Sequence, residues 1–254
     1  MVTVIICTAN ESSNIGDCIR SATLLTRTIV VFDMQSTDNT AQIASSLGAQ
    51  VVSVAPSGYV EPVRKTAIEQ APDEWVCILD ADERMTGELA QEIQSVLREP
   101  STTHTHKPTH YRIPRKNIFG STWLKHGGWY PDKQIRLIQK SALRDWPKRI
   151  HSTPEIEGTE GSLHNPILHY FHGNLTQMVA KTISYEMIES DLLYEARRPV
   201  SVATMFRKYL GELYRRLIKH QGFRDGMMGW IESIYQAYSK TITYLFLYER
   251  YHKK

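Results

Sequence analysis

The stretch Trp75-Val-Cys-Ile-Leu-Asp-Ala-Asp-Glu83 ends in two carboxylates one residue apart, Asp80 and Asp82. Two acids held that close repel each other, so the spacing makes chemical sense when a divalent cation sits between them and an anionic substrate. A plainer reading is a strand end followed by an acidic first helical turn, since Thr86-Gly-Glu-Leu opens a good helix. An isolated Asp-x-Asp does not choose between the two. Its context adds weight to the first, because Asn10-Glu11 follow one apolar run and Asp33 closes another.

Those runs are the elements that must position the acids. Trp75–Leu79 is too short for a helix and suits a strand buried on both faces. Val2–Cys7 is a first, β-branched strand, followed by a helix from about Asn14 to Leu25 and a strand over Thr28–Phe32. The next helix ends at Leu47 before Gly48, Ala49–Val54 is a third strand, and Pro62 to Gln70 is a further helix. Strands alternating with helices through short connections predict a parallel sheet with helices on both faces. The carboxyl ends of such strands share one edge, where open α/β sheets bind their ligands. A nucleotide laid across that edge would hydrogen-bond its base to Asp33 and its ribose to Glu11, with its pyrophosphate beside a cation held by Asp82.

Downstream, Leu89, Ile93, Val96 and Leu97 give another helix its apolar stripe, and Glu99–Pro108, with His104 and His106, reads as a solvated loop. Strands are expected near Tyr111–Arg115, Lys133–Gln139 and Pro166–Tyr170, whereas Gly127-Gly-Trp-Tyr-Pro-Asp132 is too rich in Gly and Pro for regular structure. From Val202 to Ile218 apolar residues recur at helical spacing, with Arg207, Lys208, Arg215, Arg216 and Lys219 on the other face. Gly222-Phe-Arg-Asp-Gly226 breaks that helix, and a second, rich in Tyr and Trp, runs from about Met227 to Tyr248. Two readings stand for this tail: a helical hairpin packed on the domain, or an interfacial membrane anchor.

At 254 residues, with 41% hydrophobic and 22% charged residues, the chain has a globular composition and the length of one large domain or one domain with an appendage. The net charge of +3 hides an asymmetry: Arg197 to Lys254 holds 12 basic against 4 acidic residues, +8, and the remainder 18 against 23, −5. The cysteines, Cys7, Cys18 and Cys77, are odd in number and lack metal-ligand spacing, which fits a reducing compartment. Met1 to Cys7 carries no basic n-region, so no signal peptide is expected, and no apolar run is long enough to span a membrane.

Three segments carry a resemblance. Val4-Ile-Ile-Cys-Thr-Ala-Asn-Glu11, Val30-Val-Phe-Asp-Met-Gln-Ser-Thr-Asp-Asn-Thr40 and Ile78-Leu-Asp-Ala-Asp-Glu83 resemble the signature segments of family 2 glycosyltransferases with the GT-A fold. Trp129-Tyr-Pro-Asp-Lys-Gln-Ile-Arg-Leu137 and Gly222-Phe-Arg-Asp-Gly226 are similar to a branch of small bacterial transferases like the lipopolysaccharide core β-glucosyltransferases. The resemblance implies a Rossmann-like, mostly parallel α/β sheet and inverting transfer from a nucleoside diphosphate sugar, a UDP-sugar being favoured. It implies a catalytic domain over residues 1–196, with a nucleotide-sugar half at 1–100 and an acceptor half at 101–196, before the helical tail at 197–254.

By position, Thr8, Asn10, Glu11 and Asp33 would hold the nucleoside, and Asp80 and Asp82 the ribose–diphosphate–metal unit, with Mg²⁺ or Mn²⁺ equally suited. Arg64 would meet the diphosphate, although Arg64-Lys65 stands where the family commonly has a basic residue followed by Asn, and Met34-Gln35 replaces its usual acidic or small residues. Inversion by single displacement needs a base on the acceptor side. Asp132, after a Gly-rich loop and before a strand, is the candidate, the plain alternative being a Pro-Asp turn. Arg136 is a candidate diphosphate or acceptor contact, or else a salt-bridge partner. His151, with His169 as the alternative, is the candidate imidazole ligand for the metal; a lone histidine is more often structural.

Three functions follow as candidates. The favoured one extends a lipid-linked saccharide such as lipopolysaccharide core, from the cytoplasmic side, at the inner face of the membrane met by the basic tail. A sugar-phosphate nucleotidylyltransferase would have a Gly-rich phosphate loop after the first strand, where this chain has Thr8-Ala-Asn-Glu-Ser-Ser. A nonenzymatic basic protein would leave the acids without purpose, and the net negative N-terminal part suits no nucleic acid.

Overall fold

The computed structural model describes residues 1–57, 59–98, 107–147, 152–171 and 175–252. In chain order its elements are β1 (Val2–Thr8), α1 (Ile15–Ala22), β2 (Ile29–Asp33), α2 (Thr40–Ser46), β3 (Gln50–Ser53), α3 (Glu61–Glu69), β4 (Trp75–Asp80), β5 (Glu83–Arg84) and α4 (Gly87–Arg98). There follow β6 (His110–Phe119), β7 (Thr122–Trp123), β8 (Asp132–Gln139), β9 (Leu143–Asp145), β10 (Glu155–Ile156), β11 (Glu160–Ser162) and β12 (Ile167–His169). Three long helices close the chain, α5 (Leu175–Glu195), α6 (Val202–Leu213) and α7 (Gly226–His252). Between α6 and α7 lie a π-helical turn, Tyr214–Lys219, and a short 3₁₀ helix, Gly222–Asp225. Two compact units result, residues 1–115 with 132–169, and residues 116–131 with 170–254.

The first unit is built on a sheet of order β3-β2-β1-β4-β8-β6-β12-β5. β1 pairs in parallel with β2 and with β4, and β2 in parallel with β3, giving the expected parallel core. β8 then runs antiparallel to both β4 and β6. Every residue of β1 is buried, because its alternate side chains serve opposite faces. Val4 and Ile6 pack with Ile15 and Ile19 of α1 and Leu89 and Ile93 of α4. Ile5 and Cys7 pack with Phe32 and with Val63 and Ile68 of α3. Each wholly buried Ile or Leu here contributes about 2 kcal/mol. The strand order turns at β1, with β2 and β3 to one side and β4 to the other, which opens a crevice at the carboxyl ends of β1 and β4.

The elements expected from β1 to β4 are all present, with small shifts at their ends. α5 is a helix beyond those that the sequence pattern predicts. It packs on α7, where its Glu186 accepts hydrogen bonds from Ser239 and Thr243. The helical unit therefore takes in α5 and residues 116–131, whereas the sequence suggested a tail beginning at 197. The loop histidines His104 and His106 lie outside the described residues.

Candidate active site

The register of the parallel core brings the expected acids to one edge. Thr8 of β1 lies opposite Asp33 of β2, and Cys7 lies opposite Asp80 of β4. Asp33 is buried and accepts from the backbone N–H of Ser36 at 3.0 Å and its hydroxyl at 2.5 Å. Ser36 Oγ in turn accepts the N–H of Asn10 at 2.8 Å, and Asn10 Oδ1 accepts from the N–H of Thr37 at 2.8 Å. Asn10 and Gln35 both hold φ near +55°, a conformation that turns each loop sharply after its strand.

A second stitch lies one step further on. Glu11 and Ser12 donate their N–H groups to Thr40 Oγ1 and Asp38 Oδ2, at 2.8 and 3.1 Å. Burial pushes the Asp38 carboxyl up, but hydrogen bonds from Thr40 and Ser12 outweigh it and hold the pKa at about 2. The Glu11 carboxylate accepts from Asn14 Nδ2 at 2.7 Å. Thr8 Oγ1 is buried and has no partner among the described residues.

Asp80 sits between two arginines, 2.6 Å from Arg64 and 2.5 Å from Arg136. Burial raises its pKa, yet the charges of Arg136 and Arg64 win and hold the carboxyl far below the usual range. Burial opposes the charge on Arg136, and Asp80 with Glu83 reverses this, so the guanidinium stays protonated. Arg64 also lies over the Trp146 ring at 5.1 Å. Both arginines named from the sequence thus face carboxylates.

Glu83 joins this site without a role that the sequence alone assigns it. It is fully buried, accepts the Asp80 N–H at 3.0 Å, and receives Arg136 at 2.6 Å and Arg115 at 3.2 Å. Arg115 stands opposite Asp132 on the β6–β8 ladder and binds its Oδ2 at 2.6 and 2.9 Å, while Gln134 donates to Oδ1 at 2.7 Å. A chain of ionic contacts runs from Asp80 through Arg136, Glu83 and Arg115 to Asp132. The sequence signal for Glu83 was its place directly after Asp82; the signal for Arg115 exists only once the register is known.

Asp82 faces His169, with Oδ2 and Nε2 3.6 Å apart. The antiparallel pairing of β12 with β5 sets His169 opposite Glu83 and so next to Asp82. A carboxylate oxygen would suit either Mg²⁺ or Mn²⁺, and an imidazole nitrogen beside it would suit Mn²⁺ better than Mg²⁺. Among the described residues no three His, Cys, Asp or Glu side chains form a metal cage, so substrate and water oxygens would complete the shell. His151 lies outside the described residues. The three cysteines are free and buried, and burial pushes the thiols of Cys7 and Cys77 up to about 12, which removes them as nucleophiles.

The segment Gly222–Asp225 has its own role in the helical unit. Asp225 accepts the His126 N–H at 2.7 Å and contacts its Nδ1 at 2.6 Å, and Arg216 lies over Trp129 at 4.9 Å. Gly222 lets its backbone approach Gly127, and a Cβ on Gly229 would sit 1.9 Å from the Gly222 carbonyl.

With this geometry in place, the relatives become informative. A family model for glycosyl transferase family 2 matches residues 3–145, more than half of the chain. The chain belongs to this family. A Rickettsia prowazekii (strain Madrid E) protein named an uncharacterized glycosyltransferase is 38% identical over 250 residues, covering 94% of this chain and 84% of the relative. The lipopolysaccharide core biosynthesis glycosyltransferase LpsC of Rhizobium meliloti (strain 1021) is 26% identical over 263 residues, covering 97% and 91%. Among solved structures, S. aureus TarS 1–349 in complex with UDP-GlcNAc is similar, with TM-score 0.51 and 16% identity over 98% of this chain and 91% of that one. At that identity the likeness concerns the fold, and the fold of this glycosyltransferase is GT-A. Family membership sets aside the nucleotidylyltransferase and the nonenzymatic readings.

Proposed function

We propose that this glycosyltransferase moves a hexose such as glucose, with inversion, from a nucleoside diphosphate donor to a lipid-linked saccharide such as lipopolysaccharide core. One observation carries the reading: Asp33, Asp80 and Asp82 share the edge that opens beside β1, and Asp82 faces an imidazole 3.6 Å away. The relative named for lipopolysaccharide core biosynthesis supports the acceptor, and the fold shared with a UDP-GlcNAc complex supports a UDP-sugar.

In this reading Asp33, with Asn10 and Glu11 in the stitched loops, receives the nucleoside. Thr8 Oγ1 and the Nε atoms of Arg64 and Arg136 are buried polar groups that lack partners among the described residues, and a diphosphate in the crevice offers acceptors to them. Asp82 and His169 would hold the divalent cation, with His151 as the other candidate imidazole. What a bound cation supplies there is compensation for charge growing on the departing diphosphate.

Asp132 is the base. Its carboxylate takes the proton from the acceptor hydroxyl as that oxygen bonds to the anomeric carbon and the bond to the diphosphate breaks. Arg115 and Gln134 fix its orientation from two sides. The test is calorimetric binding of UDP, GDP and dTDP with and without Mn²⁺. Metal-dependent binding of one nucleotide, lost in Asp33→Ala and Asp82→Ala, is expected; no binding of any nucleotide by folded protein overturns the reading.

A further inference from the structure

The helical unit carries an apolar face that its own helices leave uncovered. Along α7, Trp230, Ile231, Ile234, Tyr238, Leu245 and Tyr248 are 41–53% exposed. Their spacing puts them on one side of the helix over about 30 Å. The other side is what the unit packs, with Gly229, Ser233, Ala237, Thr243 and Leu247 buried. α6 and its following turn add a second line, Phe206, Leu210, Tyr214 and Ile218, 51–64% exposed. Steps of four residues drift by roughly 40° each around an α-helix, and the wider π-helical turn reverses that drift, keeping Ile218 in line with Leu210.

The charge around these lines is one-sided. Glu212 is taken up by Arg215 and Arg216, Asp225 by His126, Glu189 by Lys240 and Asp191 by Arg250, and Glu232 is buried; the exposed acids Glu249 and Glu195 lie towards the far end of α7 and at the end of α5. Arg207 and Lys219 are exposed and reach no carboxylate among the described residues, while Lys208 lies over the Tyr244 ring of α7. No helix among those residues is long and apolar enough to cross a membrane.

We propose that this face docks flat on an anionic lipid bilayer, with the apolar lines at the boundary between headgroups and acyl chains and the cations over lipid phosphates. Tyr and Trp are suited to that depth, having an apolar body and a polar tip. A second copy of the chain fits the face less well, since a two-fold contact sets the same cations against each other. Lipid binding requires neither nucleotide nor metal, so it stands or falls apart from the transfer reaction.

The experiment is co-sedimentation of the full chain with vesicles of phosphatidylcholine alone or with roughly one third phosphatidylglycerol, at low and high salt. Partitioning is expected to rise about tenfold with the anionic lipid and to fall with salt. Two double variants, Trp230→Ser with Ile234→Ser and Arg207→Glu with Lys219→Glu, are each expected to lower it about tenfold while keeping the wild-type melting temperature. Absence of binding to anionic vesicles, or unchanged binding by both folded variants, overturns the proposal. So does a stable dimer by light scattering that Trp230→Ser with Ile234→Ser dissolves.

Discussion

Arg115 and Asp132 stand directly opposite one another on neighbouring antiparallel strands, and the guanidinium grips a single carboxylate oxygen through two nitrogens, at 2.6 and 2.9 Å. The other carboxylate oxygen is held by Gln134. Replacing Asp132 with Asn keeps the shape and removes the proton acceptor. Turnover is expected to fall by about 10²–10⁴, with nucleotide affinity unchanged by calorimetry. Near-wild-type turnover in Asp132→Asn would take the base assignment away from this residue.

Glu83 is the buried anion that two arginines share. Removing it leaves Arg136 and Arg115 with only Asp80 and Asp132 to balance them, and Arg136 cannot shed its charge. Glu83→Ala is expected to cost about 3–5 kcal/mol, read by chemical denaturation, with Glu83→Gln costing less. A cost below about 1 kcal/mol would show that the remaining carboxylates, Asp80 and Asp132, suffice to balance the pair.

The imidazole opposite Asp82 can be identified by titration. His169→Ala and Asp82→Ala are each expected to weaken Mn²⁺-dependent UDP binding by at least about tenfold, leaving the metal-independent part unaltered. Unchanged binding in His169→Ala together with its loss in His151→Ala would transfer the role to His151.

Asp38 ties the loop after β1 to the start of α2, and its pKa is lowered to about 2 in the folded chain. The unfolded chain binds the proton near the ordinary carboxylate value, about 3.9, so the folded state gains from ionisation. That gain is complete above about pH 4 and disappears as the pH falls towards 2. Melting temperatures measured over this window should therefore fall less steeply for Asp38→Asn than for the wild type.

The parallel core was legible because its signals are local. An apolar run such as Val2–Thr8 buries every residue, and an acid at its end marks the edge whatever else the chain does. The meeting of Arg115 with Asp132 has no such signal, since it depends on which residue of β6 faces which residue of β8. The same holds for His169, which reaches Asp82 through a two-residue ladder between β12 and β5. α5 escaped because its apolar residues form more than one stripe: Val179, Ile183 and Met187 make an exposed line at four-residue steps, whereas Met178 is buried and Tyr185 exposed on another side. The motif Gly222–Gly226 points to a branch of the family, while its physical task, holding His126 and the Gly127 backbone, shows only in three dimensions.

Residues 116–131 belong with the closing helices although they lie in the middle of the chain, immediately before Asp132. Neither unit is encoded by one uninterrupted stretch of the gene. A shortened version ending before α5 would retain the loop around His126 but discard Asp225, the residue that grips it. Heredity therefore cannot shuffle the helices as a cassette: a single crossover that imports a foreign C-terminus must also import a loop that fits it, so the two segments are expected to change in step.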